Sequence, residues 1–85
     1  NTSYLSKVIN QYKGKTFTAY ITELRINAAL IKLKNDPKLR SYTIKAISEE
    51  LGFKRPETFS RAFKTQTGVY PSFYIKSLEK QVNNE

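Results

Sequence analysis

The chain contains one segment twice, 54 residues apart, and this repeat limits the folds that the sequence can adopt. The first copy, LSKVINQYKG, occupies residues 5–14, and the second, FSRAFKTQTG, occupies residues 59–68. Serine aligns with serine, lysine with arginine, glycine with glycine, and two aliphatic residues align with two phenylalanines. A Tyr-Ile pair at 20–21 recurs at 74–75 in the same register. Each copy therefore predicts a helix, a stop at glycine and the start of another helix.

The charge of the chain favours a negatively charged partner. Its 85 residues include 15 Lys and Arg against 7 Asp and Glu, which gives a net charge of +8. A chain of this size makes one small domain. The positive charges are spread along the sequence, unlike those of a disordered basic tail. Such a field favours nucleic acid or an acidic surface without indicating the fold.

Several functional classes lack the residues that they require. The sequence has no cysteine and no histidine, and therefore no thiolate metal site, no imidazole ligand and no imidazole base. No glycine-rich phosphate loop or paired-carboxylate pattern is present, so neither an enzyme nor a cofactor is expected. There is no membrane-spanning run of about 20 apolar residues and no signal peptide. Because methionine is also absent, we expect the chain to be part of a longer protein.

Apolar residues recur at helical spacing nearly throughout, which predicts an all-α fold. The predicted helices cover residues 2–13, 18–35, 43–51, 56–67 and about nine residues from Pro71. Asp36-Pro37 ends the long helix, residues 38–42 are predicted to be a connector, and residues 81–85 are expected to fray. The long helix is marked by its apolar residues Tyr20, Ile21, Leu24, Ala28 and Ile31.

Residues 44–67 have the spacing of a DNA-binding helix-turn-helix. Ser48 is a small residue four positions before the glycine of the turn, and it allows the two helices to cross closely. Phe53, Phe59 and Phe63 are expected to fill the angle between them. A simple two-helix corner of a small α domain would also fit this segment.

The outward faces of the two repeated helices favour DNA recognition. The outward residues are Ser3, Lys7 and Asn10 in the first copy and Glu57, Arg61 and Lys64 in the second. Both faces carry a cation at the same point. Arg can bind guanine with two hydrogen bonds, Asn prefers adenine, and Glu can accept from cytosine. Any solvated helix face is polar, but solvation does not explain the matched placement in both copies.

The repeat also predicts that the first unit is incomplete within this chain. The second unit begins with a positioning helix at Thr43, whose counterpart would lie before residue 1. Leu5, Ile9 and Tyr12 would then lack a partner surface, so we expect this unit to fray or to pack against another molecule.

Three stretches occur at characteristic spacings: ISEELGF at 47–53, TFSRAFK at 58–64 and GVYPSFY at 68–74. They resemble the carboxy-terminal signature of the AraC/XylS family of bacterial transcription activators. That signature contains an Ile-Ala pair, Gly-Phe, Phe-Ser-Arg-x-Phe-Lys and Gly-x-x-Pro-x-x-Tyr. RINAA at 25–29 resembles the Arg-Leu-x-x-Ala of the family's linker helix, and YLSK at 4–7 resembles the start of its first reading helix.

The resemblance covers nearly the whole chain and implies an architecture. Two homeodomain-like helix-turn-helix units, the first incomplete here, are joined by a long linker helix. Residues 1–17 would be the remnant of the first unit, 18–36 the linker helix, and 43–80 the second unit with its closing helix. The reading helices, 2–13 and 55–67, would enter successive major grooves of double-stranded DNA.

The resemblance further implies sites and partners. Base contacts carried over by position fall on Ser3, Ser6, Lys7, Glu57, Thr58 and Arg61. We expect phosphate contacts from Asn10, Lys54, Arg55, Ser60 and Lys64. A cytoplasmic regulator is implied, with no metal or cofactor, with RNA polymerase as a partner, and with an amino-terminal sensor or dimerisation domain in the longer protein. Whether that protein has a membrane anchor stays open.

Four positions depart from the family pattern. Pro56 stands where several members have a polar reading residue, and Ser48 replaces the usual alanine. Ile75 stands where the signature often has an arginine, which removes a phosphate contact, and Tyr70 stands where a threonine often caps the last helix.

Two other functions remain open from the residues alone. A basic α-helical protein-interaction module would use the same amphipathic helices to dock a partner. An RNA-binding bundle would need exposed aromatic platforms, whereas the tyrosines and phenylalanines here have core spacing. Steeply salt-dependent binding to duplex DNA would distinguish the DNA-binding function from both.

Overall fold

The computed structural model describes residues 16–83, which form five helices and no strand. These helices are α1 (Phe17–Asn35), α2 (Pro37–Arg40), α3 (Ile44–Glu50), α4 (Pro56–Thr67) and α5 (Pro71–Asn83). The all-α prediction is therefore confirmed. α1 begins one residue earlier than the sequence predicts, and α5 is longer, at 13 residues.

Side-chain caps determine where three of the helices begin. The Thr16 hydroxyl accepts a hydrogen bond from the amide of Ala19 at 3.1 Å, and Thr43 caps α3 in the same way, as predicted. The carboxylate of Asp36 accepts from the amide of Lys38 at 3.1 Å. With Pro37 at its first position, this cap gives a short helix that covers part of the predicted connector, so that prediction is wrong for residues 38–40.

A line of aromatic rings forms the centre of the core. Phe59 and Phe63 of α4 are fully buried, with ring centroids 5.8 Å apart. Phe53 lies 5.3 Å from Phe59, and Tyr74 of α5 lies 5.6 Å from Phe63. The predicted packing of the three phenylalanines between the helices is confirmed. Such pairs add about 0.5–1.5 kcal/mol each beyond their buried area.

The long helix α1 carries apolar residues on two opposite sides. Ile26, Ala29 and Leu33 are fully buried against the other described helices. Leu24 is 45% exposed and Ile31 is 61% exposed, although both belong to the apolar pattern that predicts the helix. At about 100° per residue, these two lie on the side opposite the buried three. α1 therefore has a second apolar side, which the other described helices do not cover.

Three hydrogen bonds fix α4 and α5 to α1. The Tyr74 hydroxyl donates to the carbonyl oxygen of Leu30 at 3.2 Å. The Gln66 amide donates to Asn27 Oδ1 at 2.8 Å and to the carbonyl oxygen of Glu23 at 3.3 Å. The direction of α1 is thus defined by polar contacts as well as by its buried side.

Candidate nucleic-acid interface

The turn between α3 and α4 sets the direction of α4. Gly52 adopts a left-handed conformation with φ of 88°. Its amide donates to the carbonyl oxygen of Glu49 at 3.1 Å, and the amide of Phe53 donates to that of Ser48 at 2.9 Å. These two bonds form a Schellman motif, which ends α3 and redirects the chain. A residue with a Cβ would be strained here, so the glycine is required by the turn.

Ser48 allows α3 and α4 to cross closely. Its side chain is fully buried, and its hydroxyl donates to the carbonyl oxygen of Lys45 at 2.7 Å. No polar atom is therefore left unpaired at this point of the core. The complete burial of Ser48 fits the predicted close crossing of α3 and α4.

The base-reading candidates of the second unit lie on the exposed side of α4. Glu57, Thr58 and Arg61 are exposed, whereas Phe59 and Phe63 are fully buried. The core contact of α4 thus holds these three polar residues outward over little more than one turn of helix. These residue types can all bond to base edges in a major groove.

The structure brings Thr58 and Arg61 next to α1. Both line a groove of ≈570 Å³ between α4 and the first half of α1. Thr22 and Glu23 line its other wall. One edge of α4 therefore faces α1 across this groove.

The other edge of α4 carries two phosphate candidates, Ser60 and Lys64. They line a second groove, of ≈520 Å³, together with Glu57 and Arg61. The Lys64 ammonium donates to the carbonyl oxygen of Gly68 at 2.9 Å and lies 5.2 Å from the ring centre of Tyr70. Lys64 is therefore held at the end of α4, and its ammonium has two further N–H donors.

The phosphate candidates Lys54 and Arg55 lie at the start of α4, where both are exposed. Arg55 is the N-cap residue, and no side chain caps the helix there. Arg25 of α1 approaches the same place, with its guanidinium carbon 5.9 Å from the ring centre of Phe53. In the sequence, Arg25 is notable only because RINAA at 25–29 resembles the linker-helix motif, and that resemblance predicts no contact for it.

The four candidates of the first repeat copy lie outside the described residues 16–83. They are Ser3, Ser6, Lys7 and Asn10, and their roles stay predictions. Within the described part of the chain, no helix combines the length and apolar character needed to cross a membrane.

Comparison with known proteins identifies the family. A family model described as "Helix-turn-helix domain" matches residues 1–77 and spans both copies of the repeat. The chain belongs to the AraC-type helix-turn-helix family. No solved structure matches the chain significantly.

Curated relatives of this helix-turn-helix domain are regulators of transcription. The chain is 37% identical over 73 residues to the "Uncharacterized transcriptional regulatory protein YesN" of Bacillus subtilis, covering 85% of the chain and 19% of that protein. It is 34% identical over 77 residues to the "Msm operon regulatory protein" of Streptococcus mutans, covering 91% and 26%. It is 30% identical over 76 residues to the "Raffinose operon transcriptional regulatory protein RafR" of Pediococcus pentosaceus, covering 89% and 26%.

These comparisons establish the general function. The chain spans only about a fifth to a quarter of the length of these three relatives. A helix-turn-helix domain shared by transcriptional regulators binds DNA, so this is a DNA-binding domain of transcription regulation.

Proposed function

We propose that this domain recognises a specific double-stranded DNA sequence with two helices placed in successive major grooves. The second reading helix, residues 55–67, corresponds to α4 with its N-cap, and the first covers residues 2–13. The exposed row of Glu57, Thr58 and Arg61 on α4 supports this proposal, because the buried phenylalanines hold that row outward. In the first helix, Ser3, Ser6 and Lys7 take the same role.

The length of the linker helix suits this arrangement. The 19 residues of α1 extend ~28 Å at 1.5 Å per residue. With its flanking turns, α1 can hold two reading helices about one DNA turn apart, ~34 Å. We therefore divide the chain into a remnant of the first unit (1–17), the linker helix (18–36) and the second unit with its closing helix (43–80). The domain binds one face of an asymmetric site as a monomer.

Affinity and specificity come from different residues in this proposal. The phosphate contacts are Asn10, Lys54, Arg55, Ser60 and Lys64. Neutralisation of phosphates supplies much of the affinity, whereas the base contacts choose the sequence. The domain has no catalytic role, and the longer protein acts in the bacterial cytoplasm. There it recruits RNA polymerase and responds through an amino-terminal sensor or dimerisation domain.

Fluorescence anisotropy with a labelled pool of short duplexes tests the DNA-binding mode. Titrations at ~50 and ~200 mM salt should differ by ~10³–10⁵ in affinity if six to ten phosphates are neutralised. Both the 85-residue chain and the full-length protein should be measured, with single-stranded RNA as competitor. Displacement by RNA, or no duplex binding by either protein, would refute the proposal and favour an interaction module.

Arg61→Ala tests the reading role of α4. It should weaken binding to the selected site by ~1–3 kcal/mol and relax the base preference at one position. Lys64→Ala is the matched control on the same helix and should weaken specific and random duplexes alike. If Arg61→Ala lost the same binding free energy on the selected and the random duplex, Arg61 would contact a phosphate and not a base.

A further inference from the structure

A basic groove lies where α1 approaches the turn between α3 and α4. It has a volume of ≈500 Å³ and is lined by three cationic side chains, Arg25, Lys54 and Arg55. The hydroxyls of Thr18, Thr22 and Thr58 complete its polar lining, which contains no carboxylate. Three cations and three hydroxyls around one groove provide hydrogen-bond donors and positive charge, the chemistry that binds an oxyanion.

The Arg25 guanidinium is positioned but has no anionic partner within residues 16–83. It lies over the Phe53 ring at 5.9 Å, and its Nε is 3.3 Å from the point that a Cβ on Gly52 would occupy. Among the described residues Arg25 makes no hydrogen bond and no ion pair. The guanidinium is therefore held in place by the turn while its N–H donors remain available. A planar guanidinium in this situation suits a phosphate oxygen.

The groove adjoins the reading side of α4. Thr58 lines both this groove and the groove beside Arg61. The first-turn amides of α4 have no capping side chain, because Arg55 occupies the cap position. An anion in the groove would thus lie beside these amides and next to a base-reading candidate, where the DNA backbone must pass if α4 enters a major groove.

We propose that this groove binds one backbone phosphate of the DNA and that Arg25 of the linker helix contacts that phosphate together with Lys54 and Arg55. This inference rests on the proposed DNA-reading function and adds a contact from α1, outside the helix-turn-helix itself. Since α1 joins the two units, a phosphate held by Arg25 also fixes the direction of the linker on the DNA.

The slope of log affinity against log salt concentration tests the contact. Arg25→Gln should reduce the magnitude of this slope by up to about 0.9, the value for complete loss of one phosphate contact on duplex DNA. Lys80→Gln removes the same charge from an exposed position of α5 outside the groove and should leave the slope unchanged. Arg25→Lys, which keeps the charge, should retain a slope close to that of the unaltered protein.

Duplexes with a single methylphosphonate, which removes one backbone charge, locate the contact independently of stability. One substituted position should weaken binding by the unaltered protein more than binding by Arg25→Gln, in which only Lys54 and Arg55 still contact that phosphate. An unchanged slope for Arg25→Gln, even with a lower thermal midpoint, would show that Arg25 only braces the turn and would overturn the inference. Salt-independent or absent duplex binding by the unaltered protein would refute the proposed function and this inference with it.

Discussion

Gly52 and Gly68 form a matched pair that tests how Arg25 packs on the turn. Both have φ of 88°, so alanine at either position adopts a left-handed conformation at a cost of about 1–2 kcal/mol. A Cβ at Gly68 would meet no atom within 4 Å, so the cost of the left-handed conformation is the whole expected loss of stability in Gly68→Ala. A Cβ at Gly52 would lie 3.3 Å from Arg25 Nε and 3.6 Å from Arg25 Cζ. The guanidinium must then shift by a few tenths of an ångström, and we expect the weakened contact with the Phe53 ring to cost about 0.5–1 kcal/mol more.

Thermal unfolding followed by circular dichroism measures the difference. Each kcal/mol shifts the midpoint by about 4–8 °C in a domain of this size, so Gly52→Ala should melt about 2–8 °C below Gly68→Ala. The double variant Gly52→Ala/Arg25→Gln isolates the cause, because removal of the guanidinium should abolish the additional loss at Gly52. Equal midpoints for the two glycine variants would refute the packing of Arg25 on the turn. An additional loss that persists without Arg25 would refute it as well.

Two further substitutions test the packing of the second unit. Tyr74→Phe removes the hydroxyl that donates to Leu30 and should cost about 0.5–1.5 kcal/mol in urea unfolding, with an unchanged m-value. Ser48→Leu should lower the free energy of unfolding by about 1–3 kcal/mol, because the site is fully buried. Ser48→Ala should change it by no more than about 1 kcal/mol, since it removes the hydroxyl without leaving another side chain unpaired. Tolerance of leucine would contradict the close crossing of α3 and α4.

The second unit was predictable because its residues give local signals that agree with its tertiary packing. Thr43 caps α3, Gly52 permits the Schellman turn, and Pro56 occupies the first position of α4. Phe59 and Phe63 then repeat at helical spacing and prove to be fully buried. Each signal depends on residues within a few positions along the chain. Periodicity and turn chemistry were therefore sufficient to predict these helices, the turn between them and the buried phenylalanines.

The features that the sequence missed depend on other kinds of contact. α2 was missed because Asp36-Pro37 is typical of a helix end, although the Asp36 carboxylate caps a new turn immediately afterwards. The position of Arg25 depends on Gly52 and Phe53, which lie 27 and 28 residues further along the chain. A hydrophobic pattern along one helix carries no information about such a contact.

The two apolar sides of α1 explain why this helix can act as more than a spacer. Its buried side, with Ile26 and Leu33, and its hydrogen bonds to Tyr74 and Gln66 join it to the second unit as one body. Any structure that packs on the opposite side of α1, around Leu24, therefore has a fixed orientation relative to α4, because both contact the same continuous helix. In the proposed arrangement, a flexible tether would let the spacing of the two reading helices vary, whereas a helix fixed in this way would set that spacing by its length. The proposed phosphate contact of Arg25 would act on the same element, because it would bind the linker itself to the DNA.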